Sequence, residues 1–167
     1  MAPLVRRTWA PRGKTPILYQ CTRNYKKVSA IAALCLSPDQ VKIRLYFRLH
    51  VNASIKAKEV KAFVKLLFRQ IPHQPLMIVW DRLKAHRAAM VQKLFSRKLK
   101  RYNYFFPPYA PELDPVEYVW EYLKMNPLVN MPASDVVDLA KRARKSGRSL
   151  RYKHHLLHAF LKHSSLF

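Results

Sequence analysis

The sequence predicts an α/β fold, a mixed sheet with flanking helices, on three observations. Apolar runs of strand length alternate with stretches whose apolar residues recur at helical spacing. A proline-broken loop joins a late aromatic strand to a capped helix. A basic segment of helical character closes the chain. At 167 residues, half of them apolar, the chain is long enough for one domain with a real core.

Arg7 to Leu18 reads as a strand, a Pro-Arg-Gly turn and a return strand. Val28 to Leu36 is apolar throughout and suits a buried strand. Ser37-Pro-Asp-Gln40 has turn composition, and Lys42 to Val51 alternates basic with apolar residues, the pattern of a strand with one wet face. These two runs predict an antiparallel hairpin. Ala57 to Gln70 places Val60, Phe63, Val64, Leu67 and Phe68 on one helical face, and Pro72 and Pro75 end it. A buried strand from Pro75 to Asp81 follows, then an amphipathic helix from Ala85 to Leu99 and a strand from Arg101 to Phe106. Pro127 and Pro132 mark the end of the next helix, so residues 1–132 are expected to form the main unit and 133–167 a basic helical tail, with Ser134 as its N-cap.

The organising stretch runs from Tyr104 to Lys124. Pro107, Pro108 and Pro111 exclude regular structure. Asp114 reads as an N-cap, Pro115 as the first helical residue and Glu117 as its capping-box partner, with Val116, Val119, Trp120 and Leu123 on the buried face. A Glu at that position ordinarily caps and does nothing more. Here a second carboxylate, Asp81, closes the apolar run Leu76 to Trp80, and functional groups of open α/β sheets collect at the carboxyl ends of strands. Asp81 and Glu117 can therefore share one cleft.

Charge narrows the partners. Lys and Arg number 32 against 9 acids, a net +23, which predicts a polyanionic partner, most commonly nucleic acid. Lys141, Arg142, Arg144, Lys145 and Arg148 concentrate that charge in the tail, as a DNA-binding segment or a solvated cationic face. Cys21 and Cys35 lack metal-site spacing, and no apolar run is long enough to span a bilayer. A cytoplasmic setting and no membrane partner are the expectations.

Val79-Trp-Asp-Arg-Leu-Lys-Ala-His86 and Pro107-Pro-Tyr-Ala-Pro-Glu-Leu-Asp-Pro-Val-Glu-Tyr-Val-Trp120, with thirty-five residues between Asp81 and Glu117, resemble the catalytic domain of mariner-type insertion-sequence transposases. The likeness extends over roughly residues 7 to 125 and includes the Arg-Thr-Trp-Ala-Pro-Arg-Gly-Lys-Thr-Pro run. It implies a ribonuclease-H-like fold of the retroviral-integrase-like superfamily, with an Asp-Asp-Glu triad. Asp81 matches the second acid and Glu117 the third. Asp114 stands where the family usually has Asn.

The resemblance also implies a first Asp on a strand upstream of Arg7, and no acid precedes Asp39 in this chain. The expectation is a catalytic domain truncated at its amino terminus, inactive or nearly so alone, whose protein partners are a second copy or an upstream transposase fragment. In such enzymes two Mg²⁺ (or Mn²⁺) ions about 3.5–4 Å apart flank the reacting phosphate, a site expected only in the complete protein. His86 matches a family histidine and reads as a DNA contact, a support for the metal site, or a polar residue in a first helical turn. Tyr109 reads as a substrate contact or as packing against prolines. Glu121 suits a helix-surface pair with Lys124. His154, His155, His158 and His163 lack nearby acids, so zinc is not expected. The alternative function is a non-catalytic basic nucleic-acid-binding remnant. A ribosomal-type RNA binder would explain the charge but not the paired acids.

Overall fold

Val28–Leu36 (β1) and Ile43–Val51 (β2) pair antiparallel, in a register that sets Leu36 opposite Ile43 and Val28 opposite Val51. The coordinates are a computed structural model describing residues 7, 9–15, 17, 27–72, 74–96, 98–126, 128–130, 133–164 and 166. The hairpin turn is the expected Ser37–Gln40, closed by Gln40 N–H to Ser37 O at 2.8 Å and Val41 N–H to Asp39 Oδ1 at 3.1 Å. Successive strand residues face opposite ways, and both faces of this hairpin are covered. Ala32, Leu34 and Leu36 join Ile43, Leu45 and Phe47 on one face, while Ile31, Ala33 and Cys35 join Tyr46 on the other. The wet face expected of β2 is therefore wet only at Arg44 and Arg48; Tyr46 between them is buried under a helix. Burial also pushes the Cys35 thiol up to about 11, against the pull of Arg44, which leaves it inert near neutral pH.

That covering helix is Ala57–Gln70 (α1), which buries Val60, Phe63, Val64 and Leu67 as its periodicity requires. Phe63 and Leu67 lie on the hairpin, while Val60 and Val64 reach the strand Leu76–Trp80 (β3) and the segment after it. β3 pairs in parallel with Arg101–Phe105 (β4). The buried Arg101 guanidinium donates to the carbonyls of Gln74 (2.6 Å), Ile71 (2.8 Å) and Pro72 (3.1 Å) and lies over the Phe68 ring, so a full charge is satisfied while it ties the end of α1 to β4. Among the described residues the strands form two two-stranded sheets, one antiparallel and one parallel. The burial expected of β3 holds on one face only, because no element covers the other among the described residues: the outer face of the parallel pair exposes Met77, Val79, Tyr102 and Tyr104.

Two expectations between β3 and β4 change. The single helix predicted over Ala85–Leu99 is two short ones, Lys84–Arg87 (α2) and Ala89–Gln92 (α3), broken where Ala88 turns extended (ψ 135). Ala-rich sequence favours helix there, but tertiary bonds override it: His86 is held back to Asp81, and the Gln92 side chain donates to His86 O at 2.6 Å and accepts from Asn103 Nδ2 at 2.9 Å. Near the start, Arg12-Gly13 forms the predicted turn, with Lys14 N–H bonded to Pro11 O at 3.0 Å. The described residues from Arg7 to Ile17 contain no strand, and the remaining positions of that expectation lie outside the described set.

The last three helices are Pro115–Met125 (α4), Val136–Leu150 (α5) and His154–His163 (α6). The cap of α5 is Asp135, one residue after the expected Ser134, because its carboxylate reaches the N3 amide of Asp138 at 2.7 Å. Val119, Leu123, Leu150, Leu157 and Leu161 form one core with Ile43 and Leu45. All three helices thus cover the hairpin face opposite α1. Gly147 is needed for the approach of α5, since a Cβ there would lie 2.7 Å from Phe47 Cζ. We expect Gly147→Leu to destabilise the fold by about 1–3 kcal/mol through overpacking, and Phe47→Ala added to it to recover part of the loss in thermal melts.

Candidate active site

Parallel pairing of β3 and β4 makes both strands end on the same side. Trp80 is opposite Phe105, and Phe106 N–H bonds Trp80 O at 2.8 Å beyond the last ladder pair. Asp81 leaves the end of β3. The chain leaving β4 passes through the proline loop into α4, whose first turn carries Glu117. Arg82 Nε bonds Phe106 O at 3.1 Å and ties the two exits together.

Asp81 is held rather than loose. Its Oδ1 accepts from Leu83 N–H at 3.0 Å and lies 2.6 Å from His86 Nδ1, although more than half of the side chain remains exposed. The His86 ring stacks on Trp80, centroids 4.7 Å apart and planes within 4°. Trp80 is itself buried among Phe95 and Phe105. The core therefore orients the imidazole, and the imidazole orients one carboxylate oxygen, leaving the other without a hydrogen-bond partner among the described residues.

Asp114 caps α4 as its sequence predicts, Oδ1 accepting from Val116 N–H at 2.9 Å. The reciprocal half of the capping box is not made. Asp114 N–H bonds Pro111 O at 3.0 Å, closing the 3₁₀ turn Pro111–Leu113, so Glu117 has no cap to complete. Glu117 lines a groove along α4 with Glu112, Tyr118, Glu121 and Lys124, and its carboxylate makes no hydrogen bond among the described residues. The expected Glu121–Lys124 pair is not among the ion pairs of the described residues, which are His86–Asp81 and Arg142–Asp138.

Asp114 also registers both candidate acids. Burial raises its carboxyl above the ordinary carboxylate range, the Val116 amide pulls it down, and the negative charges of Glu117 and Asp81 push it up again, against His86. The same side chain thus lies within the field of Asp81, His86 and Glu117. Composition reasoning treated Asp114 only as a cap; the available signal was its place three residues before Glu117 in a chain with so few acids. Oxygen donors of this kind suit a hard divalent cation. Asp81, His86, Asp114 and Glu117 are not gathered tightly enough to form such a site, because the described residues contain no group of three or more His, Cys, Asp or Glu side chains arranged to hold a metal ion.

Tyr109 lies apart from this cluster's contacts, fully exposed at the tip of the proline loop with φ +58, and does not pack against the prolines. Lys141, Arg144, Lys145 and Arg148 are exposed on α5, whereas Arg142 is half-buried and paired with Asp138 at 2.9 Å.

A family model described as DDE superfamily endonuclease matches residues 2–140. Two solved structures share the fold. The Mos1 mariner paired end complex with Mn superposes with a TM-score of 0.61 at 13% identity, covering 97% of this chain and 49% of that one. The Mos1 strand transfer complex gives 0.54 at 17% identity, covering 98% and 50%. The chain thus spans about half the length of the proteins it matches, and the likeness establishes an α/β fold of the ribonuclease-H-like kind. Among curated protein sequences none matches.

The position of Asp114 has a pH consequence. Its folded-state carboxyl titrates above its unfolded value, so protonation favours the folded chain and stability is lost as pH rises through the folded value. Asn caps as well as Asp. We expect Asp114→Asn to match the parent below the ordinary carboxylate range and to melt higher than it at neutral pH, the gap opening as pH rises.

Proposed function

This chain belongs to the DDE superfamily endonuclease family, and we propose that it is the catalytic-domain portion of a mariner-type DNA transposase, with Asp81 and Glu117 as two acids of a divalent-metal phosphodiester site. What supports this reading is the family match over residues 2–140, together with Asp81 at the exit of β3 and Glu117 in the first turn of α4, the helix that the chain enters after leaving the neighbouring parallel strand β4. Asp81 and Glu117 would hold the cation, Mg²⁺ or Mn²⁺. When bound, such an ion stabilises the attacking and leaving oxygens of a phosphate displacement. The chain's own residues orient the donors: His86 sets the Asp81 carboxylate, and the Pro111 carbonyl frees Glu117 from capping. DNA is the substrate class that a net charge of +23 suits. The exposed face of Met77, Val79, Tyr102 and Tyr104 suits a protein partner, a second copy or a further transposase segment.

The second reading, a basic DNA-binding protein without catalysis, is favoured by the lack of a three-ligand group among the described residues. Metal binding separates the two. We expect Mg²⁺ or Mn²⁺ to raise the melting temperature weakly, since two carboxylates make a poor two-ion site, and Asp81→Asn or Glu117→Gln to remove the shift. Joined to a transposase segment that supplies a third acid, the chain should nick DNA, and either substitution should abolish nicking. Nicking that survives both substitutions would falsify the assignment.

Phosphate binding has its own signature. Affinity for duplex DNA should fall with salt at a log–log slope of about 0.9 per phosphate contacted. Replacing Lys141, Arg144, Lys145 and Arg148 by Gln should flatten that slope, and an unchanged slope would move the footprint off α5.

A further inference from the structure

We propose that the outer face of α1 is a second phosphate-backbone surface, on the opposite side of the hairpin from the basic face of α5, so that one molecule can hold two duplex DNA segments. The inference rests on the DNA-binding reading above and extends it to a surface outside both the acidic site and the basic segment after residue 133.

Lys58, Lys61, Lys65 and Arg69 recur at three- and four-residue steps along α1 and therefore share one face. Lys58, Lys65 and Arg69 are exposed and Lys61 is half-buried. None has an ion-pair partner among the described residues. The helix's one acid, Glu59, is engaged with Lys56 N–H at 3.0 Å. Lys61–Lys65 and Lys65–Arg69 are like-charged i,i+4 pairs, which destabilise a helix in isolation. A merely solvated face needs no such arrangement, whereas a row of phosphates relieves it. From Lys58 to Arg69 the helix rises about 16 Å, the axial span of about five phosphates of one strand.

Position separates this ridge from α5. The buried face of α1, through Phe63 and Leu67, packs with Ile31, Ala33, Cys35 and Tyr46. The residues of α4, α5 and α6 pack with Ala32, Leu34, Leu36, Ile43, Leu45 and Phe47. These are the two opposite faces of one hairpin, so the outer faces of α1 and α5 point away from each other. A single straight duplex cannot lie on both. A membrane surface fits less well, because the apolar face that an interfacial helix would insert is already buried in the core.

The test is a bridging assay. One short duplex carries biotin and a second carries a fluorophore, and capture of the second on streptavidin requires a protein holding both. The unsubstituted chain should capture it at low salt. Lys58→Gln, Lys65→Gln and Arg69→Gln together should lower capture at least tenfold and leave binding of one duplex within about threefold, since α5 remains. The α5 substitutions named above should also abolish bridging while the α1 ridge still binds one duplex. Gln matches Lys and Arg in helix propensity, and a matching melt confirms that each variant is folded. Bridging unchanged in the α1 variant overturns the proposal, including the case in which a dimer bridges through α5 alone. Loss of binding to anionic phosphatidylserine vesicles with bridging unchanged makes the ridge a membrane surface and also overturns it. Binding of one duplex without any bridging refutes the second surface alone; no duplex binding at all refutes the DNA-binding reading as well.

Discussion

The hydrogen bond from Val116 N–H to Asp114 decides how the candidate site is built. It starts α4 immediately after the proline loop and its 3₁₀ turn. It also holds a half-buried carboxylate, whose burial raises it, with the charges of Glu117 and Asp81 adding to the rise. The adjoining bond from Asp114 N–H to Pro111 O matters as much. With that amide satisfied, Glu117 is not drawn back onto the helix end and stays open to the groove.

On the other side of the cluster the restraint comes from the core. Trp80 is the last residue of β3 and is buried; His86 stacks on it and grips Asp81. Moving the imidazole would mean moving a ring packed against Phe95 and Phe105. The break between α2 and α3 follows from the same contacts, because a continuous helix would carry His86 and Gln92 on a course set by helical geometry instead of by Asp81 and Asn103.

Charge is distributed with a similar division. Arg101 is buried and fully bonded, and Arg142 is tied to Asp138, so neither is free for a partner. The remaining cations of α1 and α5 lie on the outer sides of helices that cover the two faces of one hairpin. The hairpin acts as the common floor for two sets of helices, which is why β2 keeps only two wet positions on the face that alternation predicted to be wet throughout.

Local sequence determined much of this protein. The bounds of β1 and α1, the Ser37–Gln40 turn, the strand that stops at Trp80 just before Asp81 and the capped helix carrying Glu117 all follow from periodicity, prolines and capping chemistry, which act within a few residues. The family was legible for the same reason, in the Trp-Asp and Pro-Pro-Tyr-Ala-Pro stretches. Tertiary structure alone decided what depends on distant partners. It split the Ala85–Leu99 helix, because His86 and Gln92 are bound to groups on other elements. It buried Tyr46, because α1 lies over it. It left Glu117 uncapped and brought Asp114 under the charges of Asp81 and Glu117, because parallel strands twenty-five residues apart in sequence end on the same side. Helical propensity and alternation contain no information about such partners, and only the packed chain supplies it.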